Sequence, residues 1–92
     1  MNTIQEIEDL NVELTNFATN QEADESINMP RLNELLNRFK AIQLKDQTEA
    51  ENLRSGIDEL EDIIALLADA ELTDDTDAKE DLLAQLEGIS FT

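Results

Sequence analysis

The side chains in this sequence that have the right chemistry to react or to hold a ligand are carboxylates. Twenty-three Asp and Glu stand against six Lys and Arg, and they crowd most densely in DELEDIIALLADAELTDDTDAKED, residues 58–81. Paired carboxylates serve as acid and base in hydrolysis, or as hard oxygen ligands for calcium. The run DDTDAKED comes nearest to a calcium loop. With Asp75 at position 1, Asp77 takes position 3, but Lys79 falls at position 5, Glu80 at the glycine position 6 and Leu86 at the bidentate position 12. The match fails. Asp74, Asp75 and Asp77 suit loose divalent binding at most, and helix capping accounts for them better, so neither a metal site nor a cofactor is expected.

Other chemistries lack their residues. There is no His and no Cys, which removes the commonest general base, the commonest transition-metal ligands and the thiol nucleophile. The two glycines, Gly56 and Gly88, form no phosphate-cradling loop, and no Ser–Lys arrangement is evident. Acid–base work by paired carboxylates needs a cleft, for which a small helical chain has little room. A non-enzymatic protein is expected.

The elements that position the acids follow from periodicity. Ninety-two residues make one domain, 1–92, near the lower end of what folds alone. Apolar residues make up 40%, too many for a disordered chain. Leu and Ile dominate them, with three Phe and no Trp or Tyr, a mixture that suits helix-on-helix packing. The fold class expected is all-α: a compact bundle of three main helices plus a short C-terminal one, at about 4–19, 29–45, 48–70 and 77–87.

Ile4, Ile7, Leu10, Leu14 and Phe17 stripe the first helix, with Thr3 and Glu6 at capping-box spacing and Val12 off the stripe. TNQEADES reads as a loop. Asn28 caps the second helix, with Pro30 in its first turn and Leu32, Leu35, Leu36, Phe39 and Ile42 inward. Lys40 and Lys45 complement its dipole. The pattern lapses around LKDQTEAE, where Asp46 and Glu49 can open a new helix; one long helix over 29–70 is the rival reading. Leu53, Ile57, Leu60, Ile64 and Leu67 form the seam of the third helix, Ile63 and Leu66 widen it, and Gly56 allows a close helix approach. Thr73, Thr76 or Asp77 caps the last helix, where Leu82, Leu83 and Leu86 turn inward and Gly88 stands as a C′ glycine before Ile89.

On a helical wheel Glu51, Asp58, Asp62 and Asp69 fall within roughly 40° of one another, opposite the leucine seam, with gaps of about 6 to 10 Å along the axis. Glu8, Asp9 and Glu13 project from the first helix. These seven acids are the candidate partner-binding face. A solvated surface that keeps a small protein in solution is the plain explanation. The sharper one is mimicry of nucleic acid, whose strands carry one phosphate per 3.4 Å of rise.

Net charge is −17, split as −7 over residues 1–30, +2 over 31–46 and −12 over 47–92. Such a chain is repelled by nucleic acid and by anionic membranes, so direct binding to either is not expected. Its natural partner is a basic protein surface, such as that of a nucleic-acid-handling enzyme. Small viral proteins that disable host restriction or CRISPR enzymes use surfaces of this kind. The expectation is therefore a phage-encoded anti-defence inhibitor acting as a DNA mimic. The alternative is a self-associating scaffold or chaperone-like factor, a homodimer through the first or third helix.

Arg31, Arg38 and Lys45, spaced every seven residues, are expected to answer acids of neighbouring helices, with a small docking patch as the other reading. MNTIQEIEDLNVEL has neither the basic start nor the apolar core of a signal peptide, and IIALLA is too short to span a bilayer. The cytoplasm, the host's if phage-encoded, is the expected location.

Overall fold

A computed structural model describes residues 3–92. The described residues form four helices, α1 (Thr3–Asn20), α2 (Met29–Lys40), α3 (Gln47–Thr73) and α4 (Thr76–Glu87). Each packs on its neighbours in sequence, and α4 closes the ring against α1. Among the described residues no Cα of α1 lies within 8 Å of one of α3, nor any of α2 within 8 Å of one of α4, so these pairs stand at diagonal corners of an all-α bundle. Successive helices run antiparallel. From Ile27, just before α2, to Lys40 at its end, the contacts on α3 step back from Glu71 to Glu61. The molecule measures 41 × 20 × 19 Å, and α3, at about 1.5 Å per residue, spans its whole length.

The leucine stripes build the core as their spacing requires. Ile7, Leu10 and Leu14 of α1, Leu32, Leu35, Leu36 and Phe39 of α2, Leu53, Leu60, Ile64 and Leu67 of α3, and Leu82, Leu83 and Leu86 of α4 are all buried in one cluster. Ile57 is half-buried, and Ile63 widens the α3 stripe as expected. Leu66 does not: it stands exposed at the edge of the stripe. α1 already includes Thr3, so Thr3 is a helical residue and not the cap, and any cap before it lies outside the described residues.

The break between the second and third helices is present, but α2 ends at Lys40 and not at residue 45. Ile42 and Leu44 explain why. Two residues apart, they would lie on opposing sides of a helix; in the irregular connection both pack against the core while Gln43 and Lys45 face solvent. Ile42 therefore contributes from beyond the helix and Lys45 plays no part in its dipole. Asn28 caps α2, accepting from the Arg31 N–H at 3.3 Å, and Asp46 caps α3, accepting from the Glu49 N–H at 2.9 Å.

The α3–α4 turn differs from expectation in its details. Asp75, not Thr73, Thr76 or Asp77, caps α4, accepting from the Ala78 N–H at 3.1 Å. Asp74 takes the left-handed conformation, φ 53°. The Asp75 N–H bonds to Ala70 O and the Asp74 N–H to Glu71 O, the paired bonds of a Schellman turn. Asp tolerates this backbone better than most side chains. Gly88, by contrast, ends α4 at φ −100° with no left-handed turn.

Beyond Gly88 the chain continues along α3 into the space that the short α4 leaves open. Ile89 and Phe91 are buried, and the Phe91 ring stacks on Phe39 with centroids 4.0 Å apart. Gly56 admits this tail rather than a helix: a Cβ there would stand 2.5 Å from the Phe91 ring and 2.6 Å from the Ser90 carbonyl oxygen.

Candidate functional site

The acids of α3 reach the surface together. Each turn of a helix repeats the outward direction every three or four residues, and Glu51, Asp58, Asp62 and Asp69 fall on the face opposite Leu53, Leu60 and Leu67. All four are exposed, and among the described residues none pairs with a cation. Glu51 accepts a bond from the neutral Gln47 amide at 3.2 Å. Arg54, the sole cation of α3, makes no ion pair among the described residues and lies beside the row, lining a hollow with Asp58, Glu61 and Lys40.

The α1 acids do not join this row. Because α1 stands diagonally from α3, their outward faces point apart, and the seven candidate residues form two surfaces. Asp9 is exposed and accepts from Gln5 at 2.9 Å. Glu8 is exposed and lines a hollow with Glu49 and Asn52 of α3. Glu13 is committed internally. Its two oxygens take Arg31 at 3.3 Å and Arg38 at 2.9 Å, so its charge is largely answered within the molecule.

The basic island divides accordingly. Arg31 and Arg38 tie α2 to α1 through Glu13, Arg31 also meets Glu34 at 3.0 Å, and Lys40 meets Glu61 of α3 at 2.7 Å. Lys45 makes no ion pair among the described residues. Arg31, Arg38 and Lys40 thus answer neighbouring acids and Lys45, contrary to expectation, does not; among the described residues no ion pair reaches the α3 row.

One charged feature escaped the periodicity. Lys79 is 2% exposed, buried on the inner side of α4, with Nζ 3.5 Å from Glu71 Oε1 and 3.9 Å from Asp74 Oδ1. Glu71 Oε2 accepts from the Ile27 N–H at 2.9 Å. A single carboxylate thus joins α3, α4 and the α1–α2 loop, where Ile27 is buried. The spacing of Glu71 and Lys79 straddles a turn, so no helix-face pattern relates them; an isolated Lys among inward-facing leucines was the available signal.

Asp74, Asp75 and Asp77 serve the turn: Asp74 supplies the left-handed residue and Asp75 the cap. Among the described residues no three acids converge on a point suited to a metal ion, and no helix is long and apolar enough to cross a membrane. The hollows are open and lie at helix seams. Neither a protein-family model nor a curated relative nor a solved structure matches the chain.

Proposed function

We propose that this protein is a non-enzymatic binding protein that occupies a basic, nucleic-acid-binding surface of a host defence or other nucleic-acid enzyme, and that it is a phage-encoded inhibitor acting as a DNA mimic. One observation carries the reading: Glu51, Asp58, Asp62 and Asp69 stand in an exposed row on α3 and, among the described residues, form no ion pair, with Arg54 the one cation beside them, while Arg31, Arg38, Lys40 and Lys79 are spent on other acids. A row of unanswered carboxylates on a rigid helix offers a phosphate-binding site the charge it is built to receive. Long-range attraction speeds such an encounter and makes it sensitive to salt.

The test is capture from a source-host lysate at low salt, with duplex DNA as eluant and mass spectrometry as readout. A nucleic-acid enzyme displaced by DNA, and not captured by the protein with Glu51, Asp58, Asp62 and Asp69 reversed to Lys, is the expected result. Undiminished capture by that variant would sink the proposal.

A second reading has its own observation. Leu72 is 86% and Leu66 52% exposed on α3, which favours a self-associating scaffold or assembly factor. Sedimentation of the wild type against Leu66→Ser and Leu72→Ser decides it: a mass that falls on substitution supports assembly, and a monomer at all concentrations removes it.

A further inference from the structure

Between α3 and α4 runs an open groove of about 430 Å³. Ala70, Ala78 and Leu82 line it, and Leu66 borders it with 52% of its surface in water. Asp69 contributes from α3, Asp75 from the α3–α4 turn and Asp81 from α4, and among the described residues no cation lines it. Single exposed leucines are ordinary on protein surfaces. Here the leucine, the apolar lining and the unanswered acids share one place, and Asp69 belongs both to the groove and to the α3 row.

We infer that this groove is the docking site for a basic amphipathic segment of a partner protein, which lays one large apolar side chain against Leu66 and Leu82 and sets Lys or Arg head groups on Asp69 and Asp81. The inference rests on the proposed occupation of a basic surface and adds the chemistry of the segment that enters. Charge complementarity selects this occupant. A second copy would bring another −17 charge and set acid against acid. DNA is excluded by the same repulsion. A basic segment is drawn in by the acids, and its aliphatic stems and apolar anchor cover the leucine. In this arrangement the row supplies attraction and the groove supplies selectivity, since a phosphate-binding surface without an apolar anchor gains nothing from Leu66.

The probes are two short synthetic peptides, one amphipathic with Lys and Leu, the other identical except for Gln in place of Leu. Fluorescence anisotropy at physiological salt measures affinity, and amide shifts of the labelled protein locate the contact. The Lys/Leu peptide is expected to bind about tenfold more tightly, as burial of one leucine side chain implies, with shifts at Leu66, Asp69, Ala78 and Leu82. Leu66→Ser should abolish that advantage and leave the Lys/Gln peptide unchanged. Val12→Ser, on an exposed face of α1, should alter neither. Equal binding of both peptides, insensitive to Leu66→Ser but lost on reversal of the four α3 acids, overturns the groove and leaves the basic-surface reading standing. Binding of neither peptide overturns both. A wild-type dimer that Leu66→Ser dissociates overturns the heterologous partner and assigns the groove to a second copy.

Discussion

Lys79 is the buried charge among the described residues, and its partners determine what its environment tolerates. Its ammonium depends on Glu71, because Asp74 is farther away and its side chain is almost fully in water. Glu71 depends on Lys79 less: its side chain is part-exposed and it also accepts the Ile27 N–H. The pair is therefore asymmetric. Glu71→Leu leaves the Lys79 ammonium with only the more distant Asp74 and the Ile27 N–H without its acceptor, and is expected to lower unfolding stability by about 1–3 kcal/mol, the cost of leaving such a group unsatisfied. Lys79→Met keeps the aliphatic stem and leaves a carboxylate that still reaches water, so its loss should be markedly smaller. Urea unfolding of both variants measures the difference, and equal losses would refute the asymmetry.

Among the elements, the residues after α4 do the work of a missing helical segment. α4 covers the second half of α3, and residues 88–92 cover part of the first half through Ile89 and Phe91. Gly56 makes that contact close enough for the Phe39–Phe91 stack to form. Ala at position 56 would favour the helix by about 1 kcal/mol, yet its methyl would meet the Ser90 carbonyl and the Phe91 ring well inside contact distance. Overpacking of this kind costs about 1–3 kcal/mol, and a backbone carbonyl yields less readily than a flexible side chain. Gly56→Ala is expected to be destabilising on balance, by about 1 kcal/mol, in thermal or urea unfolding. A stabilised variant would show that the tail moves aside freely.

For the whole molecule, charge dominates. A net −17 lies on a body 41 Å long. At about 0.01 M salt the screening length is about 30 Å, so acids on most of that surface repel one another; at about 0.15 M it is about 8 Å. The thermal midpoint is expected to rise with salt over this range, as a titration by circular dichroism would record, and a midpoint that falls would place the stabilising ion pairs above the repulsion. Reversing Glu51, Asp58, Asp62 and Asp69 to Lys adds two charges at each site, taking the net from −17 to −9. The variant should fold at least as stably as the wild type, because it removes repulsion and disturbs no packed side chain. Its failure to capture a partner would then report the surface and not the fold.

Local rules in the sequence settled the helices, their caps at Asn28 and Asp46, the inward stripes and the outward direction of the α3 acids. Each depends on residues within a few positions of one another, where helical geometry is fixed. The early end of α2 was less legible, because Ile42 extends the helical stripe while Ile42 and Leu44 together fit an irregular segment, and packing on the core decided between them. Contacts between distant segments belonged wholly to the tertiary structure. Glu13 looked as free as Glu8 until α2 brought Arg31 and Arg38 to it. Glu71 and Lys79 met across a turn, and Phe91 reached Gly56 from the far end of the chain. The diagonal placement of α1 and α3 split seven acids into two surfaces, and the packing of α4 beside Leu66 and Asp69 made a groove. Periodicity tells which way a side chain leaves its own helix; only the arrangement of the other helices determines what it meets there.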